Sequence, residues 1–429
     1  MSLWILFEQY LSLAFYYILI HIFHWSELET LSFLTSKRGW AWMYPNKLLI
    51  SDADIAHEIL VRHSSSHFQK ASIHEDSPLS GSMLNDSDRK PHSRSLLVHS
   101  LSSKQIKENY IPIILDCTKT LVNYWKSKLA SDSMIVDVTD DCARLALDIV
   151  GETLIGGTFG ACSYDDNGNR LTQSMLHLTR ETFTAKNHEK QIDMNGRHQL
   201  DFIDNLIQHR WATSDRTLDF ADTKLILFAG SETTATAMAL TLLTLAYRND
   251  IQIQLREQLY GLSTFEIIQN SLLDSFIHEI LRFWAIAPFI TRRSTRDLTC
   301  QNSSGRTLLI PNNTDIDILV WSIHRSPLYY IRVDELNITR TYSNKRSYLP
   351  FSTGSRMCPG MEFAITELKI IVALLLEQIE FEPLVSISPL DCSQFLSEQQ
   401  FHIDWYHAVI HTKEHVCLKI RPRLPVFSK

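Results

Sequence analysis

One cysteine lies in a loop that suits a metal-bound thiolate. In the stretch FSTGSRMCPG, residues 351–360, Cys358 comes directly before a Pro-Gly pair and an apolar run with helical spacing. Unpaired N–H groups at the start of such a helix would stabilise the sulfur anion. A single thiolate cannot make a structural zinc site, which needs four ligands, but it can be the proximal ligand of a haem iron. The stretch is therefore compatible with a thiolate ligand of a haem iron.

The neighbours of Cys358 favour the same interpretation. Gly354 and Gly360 allow the backbone to lie close to a flat ligand, where a Cβ atom would collide. Arg356 can pair with an anionic edge of that ligand, and Phe351 can shield the sulfur from water. We expect these four residues to contribute to a cofactor site.

A second polar cluster lies inside a long apolar segment. Glu232 is the only charged residue between Lys224 and Arg248. A helix this apolar is expected to be central and buried, although a membrane span has a similar composition. A buried carboxylate is costly unless it is paired or hydrated, so Glu232 and the adjacent hydroxyl of Thr233 indicate a functional site.

A third pair of charged residues lies on another predicted helix. Glu279 and Arg282 are three residues apart, a spacing at which helical side chains can meet. Most such pairs are weak surface ion pairs. The surrounding helix carries apolar residues at core spacing, which favours a buried pair, and the sequence alone leaves both interpretations open.

These motifs resemble the signatures of the cytochrome P450 superfamily of haem-thiolate monooxygenases. The stretch around Cys358 matches every fixed position of the pattern FxxGxRxCxG, and Glu279 and Arg282 match the ExxR pair. The oxygen-activation pattern A/G-G-x-D/E-T-T/S is matched by Ala229, Gly230, Glu232, Thr233 and Thr234. The resemblance is strong over residues 220–380 and diffuse elsewhere.

The resemblance implies a mainly α-helical fold with small β-sheets. Haem b would lie between the long central helix and the helix that follows the cysteine loop, with Cys358 on its iron. Ala229 and Gly230 would contact the cofactor. Glu232 and Thr233, placed in a gap of the long helix, would deliver protons to bound oxygen.

The resemblance also assigns several arginines. Arg340 would complete a structural triad with Glu279 and Arg282. Candidate partners of the haem propionates are Arg356, Arg292 and Arg94.

The implied reaction inserts one oxygen atom of O2 into an apolar small molecule of the lipid, terpenoid or sterol class. Electrons would come from NADPH through a flavoprotein reductase, because the chain has no dinucleotide-binding GxGxxG pattern. One alternative is an inactive or shortened haem-binding relative, and another is an enzyme that rearranges peroxides without a reductase. The retained Glu232 and Thr233 favour the monooxygenase.

The chain departs from the family pattern in two places. Lys90 replaces the tryptophan of the pattern WxxxR, in which only Arg94 matches. The segments 157–219 and 248–271 leave little room for the helices that usually roof the pocket. We therefore expect either a reduced substrate lid or a shortened form of the sequence.

Composition and the first residues indicate the cellular setting. The net charge is −7 and the sequence shows no basic face, which argues against nucleic acid as a partner. The seven cysteines include no CxxC pair, which favours a reducing compartment. Residues 3–25 are mostly apolar and long enough to cross a bilayer, although a buried or membrane-surface helix is the alternative. We expect a single-pass anchor, residues 1–25, in the endoplasmic reticulum membrane and one cytoplasmic catalytic domain, residues 26–429.

Overall fold

The computed structural model describes two compact units. The residues it describes are 11–12, 14, 16–17, 27–43, 46–70, 91–129, 132–164, 220–341, 344–384, 401–402, 409–412 and 415–423. Unit 1 comprises Met1–Ser72, Leu281–Cys358 and Gln400–His411. Unit 2 comprises Ile73–Ile280, Pro359–Gln399 and Thr412–Lys429.

Helices make up most of the described chain. Their bounds are α1 (Glu27–Thr35), α2 (Ala53–His57), α3 (Pro91–Ser100), α4 (Ile111–Lys128), α5 (Val138–Val150), α6 (Phe220–Tyr247), α7 (Asn249–Leu259), α8 (Thr264–Gln269), α9 (Ser271–Trp284), α10 (Val320–His324) and α11 (Met361–Gln378). Short helical turns are Ser103–Gln105, the 3₁₀ turns Ala161–Ser163 and Gly354–Arg356, and the π-helical turns Glu58–Arg62, Ile106–Tyr110 and Gly151–Ile155.

The strands are short and belong to small sheets. Their bounds are β1 (Trp40–Met43), β2 (Lys47–Ile50), β3 (Phe68–Gln69), β4 (Met134–Asp137), β5 (Phe289–Ser294), β6 (Leu298–Gln301), β7 (Thr307–Ile310), β8 (Asp315–Leu319), β9 (Ile379–Pro383), β10 (Phe401–His402), β11 (His411–Thr412) and β12 (Cys417–Pro422). Unit 1 contains a five-stranded sheet in the order β1-β2-β8-β5-β3 and the hairpin β6-β7, and unit 2 contains the sheet β4-β12-β9.

The five-stranded sheet forms the core of unit 1. Its central strands β2 and β8 run parallel, with Leu48 opposite Ile316 and Ile50 opposite Ile318. These four side chains are fully buried. Leu48, Ile50, Ile316 and Ile318 therefore form a buried apolar centre of this sheet.

The long apolar segment forms α6, a buried helix of unit 2. It packs against α5, and a Cβ atom at Gly230 would lie only 2.9 Å from Cγ2 of Val150. Over Asp222–Tyr247 the helix is long and apolar enough to cross a membrane, but 72% of its 18-residue apolar window is buried inside the protein. The predicted burial of this helix is confirmed.

Most of the predicted anchor lies outside the described residues, as does most of the predicted roof segment 157–219. Within the anchor, Tyr16 is described and half-buried. Its side chain packs beside an apolar cluster of unit 1 formed by Leu31, Met43, Leu49 and Leu319. Part of the N-terminal segment therefore contacts the core of unit 1.

Glu367 is a buried carboxyl group in the middle of α11. It is 0% exposed, and neither of its carboxylate oxygens has a hydrogen-bond partner within the described ranges. Burial raises the pKa of this carboxyl to about 8. Glu367 is therefore a neutral acid at neutral pH.

We predict that Glu367 makes unit 2 less stable as the pH rises. The folded carboxyl keeps its proton up to a pKa of about 8, whereas the unfolded carboxyl releases it near 4.5. Between these values the folded state binds more protons, so the free energy of unfolding falls with rising pH. Urea unfolding from about pH 5 to about pH 8 should show a clearly smaller fall for Glu367→Gln than for the wild type.

The exposed Glu377 on the same helix provides the control. Glu377→Gln should keep the wild-type pH dependence. Equal slopes for Glu367→Gln and the wild type would show that Glu367 does not hold a proton in the folded state.

Candidate functional site

Cys358 lies in a loop of unit 1 that is closed by a backbone hydrogen bond. Cys358 is exposed. The backbone N–H of Cys358 donates to the carbonyl of Phe351 at 2.9 Å, which closes the loop around the 3₁₀ turn Gly354–Arg356. In unit 2, Gly360 is the N-cap of α11, and its carbonyl accepts from the N–H of Ala364 at 2.8 Å.

Gly354 is required by a close backbone contact. Its φ is +77°, in the left-handed region, and a Cβ atom there would lie 2.1 Å from the carbonyl oxygen of Leu60. Leu60 belongs to the π-helical turn Glu58–Arg62 that follows α2. The loop is thus seated on this turn, a contact across almost 300 residues that the sequence did not suggest.

Two arginines of unit 1 lie close together. Arg356 donates to the carbonyl of Ser64 at 2.6 Å. Arg292 is 5% exposed and donates to the carbonyl of Thr291 at 2.7 Å, but its Nε atom has no hydrogen-bond partner among the described residues. Burial and the charge of Arg356 lower the pKa of Arg292 to about 10.

This arrangement fits an anionic cofactor. A buried guanidinium with an orphaned donor, next to a second cation, is unfavourable unless an anion binds there. The carboxylates of a haem have this charge, and Cys358 in the same unit supplies the ligand type that a haem iron accepts. The residues present therefore fit the cofactor that the sequence predicts.

The pair on α9 is buried, which settles the question left open by its spacing. Glu279 and Arg282 are both 0% exposed. The guanidinium of Arg282 donates to the carbonyls of His324 at 3.0 Å, Val333 at 2.9 Å and Glu335 at 3.2 Å. Arg282 therefore organises the loop between α10 and the cysteine loop.

Arg340 acts on the same loop. Its guanidinium donates to the carbonyls of Ile331 at 2.5 Å, Arg332 at 3.1 Å and Glu335 at 3.0 Å. Arg282 and Arg340 thus share the carbonyl of Glu335 as an acceptor. The predicted triad remains a prediction, but two of its members converge on one peptide group.

The proton-delivery residues lie on α6 in unit 2. The expected gap in this helix is wrong, because α6 is continuous from Phe220 to Tyr247. Thr233 is half-buried, and its hydroxyl donates to the carbonyl of Ala229 at 2.8 Å, one turn earlier. The Thr233 hydroxyl is thus satisfied by a carbonyl of its own helix, and the backbone hydrogen bonds of the helix are kept.

The remaining predicted residues differ in their exposure and packing. Ala229 is exposed and Glu232 is half-buried on α6, whereas Gly230 serves the close packing of α6 on α5. Arg94 is half-buried on α3, and Lys90 lies outside the described residues. Their contact with a cofactor stays a prediction.

Sequence reasoning missed His324. It is 0% exposed in unit 1 and hydrogen-bonds to the backbone of both Arg282 and Leu349. A histidine in the sequence IHRSP gives no periodic or motif signal of such a contact, since its partners are 42 and 25 residues away.

Comparisons with known proteins identify the family. A family model described as Cytochrome P450 matches residues 38–185 and 169–402. Cytochrome P450 3A2 from Rattus norvegicus is 26% identical over 291 residues, which cover 62% of this chain and 52% of the rat protein. Cytochrome P450 3A12 from Canis lupus familiaris is 30% identical over 217 residues, 46% of this chain and 42% of the dog protein.

A more distant animal supplies a similar match. The protein named probable cytochrome P450 4s3 of Drosophila melanogaster is 28% identical over 228 residues, 49% of this chain and 44% of the fly protein. The chain spans about half the length of these relatives. Because the family model covers most of the chain, the chain belongs to the cytochrome P450 family, and the predicted mainly helical fold with small sheets is confirmed.

We predict that Gly354→Ala unseats the cysteine loop. The new methyl group would meet the Leu60 carbonyl, and the left-handed backbone would be strained as well, so unfolding should become easier by about 3 kcal/mol in total. Gly305→Ala is the matched control, because Gly305 has a φ of +79° and a Cβ atom there would meet nothing within 4 Å beyond its chain neighbours. Urea unfolding should show a loss of only about 1 kcal/mol for the control. Equal losses would show that the contact with Leu60 is unimportant.

We predict that Arg292 binds an anionic edge of the cofactor. Arg292→Met should leave the cofactor-free protein as stable as the wild type or more stable, because it removes a buried cation with an orphaned donor. Its haem affinity in a titration should fall at least about tenfold, since a hydrogen bond to a charged group contributes about 1.5–3 kcal/mol.

Arg293 serves as the control for Arg292. It lies on the same strand and pairs with Asp315 at 2.6 Å. Arg293→Met should keep the wild-type haem affinity. An unchanged affinity in Arg292→Met would exclude Arg292 from the cofactor site.

Proposed function

We propose that this protein is a haem-dependent monooxygenase. It would insert one oxygen atom of O2 into an apolar small molecule of the lipid, terpenoid or sterol class. The observation that carries the proposal is the geometry of unit 1. The exposed Cys358 on a closed loop lies in the same unit as Arg292 and Arg356. Arg292 is buried, and its Nε atom has no hydrogen-bond partner among the residues that the structure describes.

The cofactor of this reaction is haem b, which supplies oxygen binding and oxygen activation when it is bound. Cys358 would hold the iron through its thiolate. Arg292 and Arg356 would hold the propionates, and the loop that Gly354 seats on Leu60 would fix the direction of the sulfur. These residues bind and orient the cofactor.

Proton delivery would fall to Glu232 and Thr233. A carboxyl group and a hydroxyl at adjacent positions of a mostly apolar helix can hold water and pass a proton along it. Because the Thr233 hydroxyl donates to the carbonyl of Ala229, it must turn from this acceptor to give a proton elsewhere. The movement is a side-chain rotation and leaves the helix intact.

Electrons would come from NADPH through a flavoprotein reductase, because the chain has no dinucleotide-binding pattern of its own. The endoplasmic reticulum membrane is the proposed location, with the N-terminal apolar segment as its attachment and the catalytic units on the cytoplasmic side. An apolar substrate that dissolves in the bilayer would reach the enzyme there.

The proposal is tested first by the absorption spectrum of the purified protein, loaded with haem, reduced and exposed to carbon monoxide. The wild type should show the red-shifted Soret band of a thiolate-bound ferrous carbonyl. Cys358→Ser should lose this band, because a hydroxyl does not replace the thiolate. Cys300→Ser, at a buried cysteine of the hairpin β6-β7, should keep it.

A second measurement separates the proposal from its alternatives. With a microsomal reductase and a panel of lipids, terpenoids and sterols, a monooxygenase should oxidise NADPH and form oxygenated product. A thiolate band without NADPH oxidation would indicate an inactive haem-binding relative. Conversion of a peroxide without reductase would indicate a rearrangement enzyme.

A further inference from the structure

We infer that His324 is a positioning residue that fixes the cysteine loop to the end of α9. The inference rests on the proposed function, because it concerns how unit 1 presents Cys358. His324 is the last residue of α10 and is completely buried. It lies between two backbone segments that are far apart in sequence.

The hydrogen bonds of the imidazole define one tautomer. The Nδ1 atom lies 3.2 Å from the carbonyl oxygen of Arg282, which can only accept, so Nδ1 carries the proton. The Nε2 atom accepts the backbone N–H of Leu349 at 2.9 Å, so Nε2 is unprotonated. His324 is therefore neutral and uses both ring nitrogens.

The surroundings keep His324 in this state. Burial and the charges of Arg282 and Arg325 lower its pKa to about 3. The ring of Tyr348 stacks on the imidazole, with centroids 5.7 Å apart and an interplanar angle of 15°. A protonated ring would lose its acceptor for Leu349 and add a charge beside two arginines.

The cysteine loop begins at Leu349. It is 2% exposed, and its carbonyl accepts the N–H of Ser352 at 3.0 Å. The next residue after Pro350 is Phe351, whose carbonyl accepts the N–H of Cys358 at 2.9 Å. Two consecutive turns therefore connect the residue held by His324 to the cysteine.

His324 and Arg282 hold each other reciprocally. The guanidinium of Arg282 donates to the backbone carbonyl of His324, while the ring of His324 bonds to the backbone carbonyl of Arg282. Arg282 fixes the loop after α10 through its hydrogen bonds to backbone carbonyls. His324, fixed in this way, accepts the backbone N–H of Leu349. The cysteine loop is therefore fixed at two points. His324 binds the backbone N–H of Leu349 at the start of the loop, and Gly354 packs against the carbonyl of Leu60.

The test compares two amide substitutions in the full-length, haem-loaded protein. His324→Asn keeps a donor near the Nδ1 position but is too short to accept from Leu349. His324→Gln extends an acceptor toward the Nε2 position and should rescue the contact. In His324→Asn the fraction of protein with the thiolate-type ferrous carbonyl band should fall at least about threefold, and hydrogen exchange at the Leu349 amide should speed up at least about tenfold. His324→Gln should stay within about twofold of the wild type in both measurements.

His278 provides the control substitution. It lies on α9, and its Nδ1 atom bonds to the carbonyl of Asp274 within the same helix. His278→Asn should leave the band and the Leu349 amide unchanged. A wild-type band and wild-type exchange in His324→Asn would overturn the inference.

Two further outcomes keep the inference separate from the proposed function. If the wild type forms no thiolate band, the proposed function fails, and hydrogen exchange at Leu349 in the cofactor-free protein still decides the role of His324. If His324→Asn does not fold, nitrogen NMR of histidine-labelled wild type decides. A neutral ring with the proton on Nδ1 supports the inference, and a proton on Nε2 overturns it.

Discussion

The buried guanidinium of Arg282 is the constraint on which unit 1 depends. A guanidinium is always charged and carries five donors in a rigid fork, so it can be buried only where acceptors are arranged around it. Here the acceptors are the carbonyls of His324, Val333 and Glu335. The end of α10 and the loop that follows must therefore fold for Arg282 to be buried, and the loop that leads to Cys358 continues from them.

Two pairs of arginines in unit 1 differ in their hydrogen-bond partners, which distinguishes a structural role from a role in ligand binding. Arg282 and Arg340 direct their donors at backbone carbonyls and share one of them, that of Glu335. Arg292 is also buried, but its Nε atom has no hydrogen-bond partner in the described part of the chain, and the positive charge of Arg356 acts on it. Cations that the protein satisfies by itself hold the fold, whereas a cation left unsatisfied indicates where an anion belongs.

Motifs and periodicity predicted the chemistry and the helices but not the contacts that seat them. The FxxGxRxCxG stretch and the apolar pattern of α6 are local signals. The predicted burial of α6 agrees with the structure, whereas the haem ligand predicted from the cysteine stretch stays a prediction. The burial of Arg282 stayed open because apolar neighbours favour burial without excluding a surface pair. The seat of Gly354 on Leu60 and the bond from His324 to Leu349 join distant segments, and no local pattern encodes such partners.

The expectation about α6 failed for an instructive physical reason. The family resemblance implied a gap in the long helix at Glu232 and Thr233. In the structure Ser231 and Thr233 donate to carbonyls one turn earlier, at 2.7 and 2.8 Å, so their hydroxyls are satisfied without breaking a backbone hydrogen bond. Releasing Thr233 for proton transfer then costs one local hydrogen bond, about 1 kcal/mol net, which is far less than opening a turn of a buried helix. A continuous helix is therefore compatible with a mobile proton donor, because the movement is confined to one side chain.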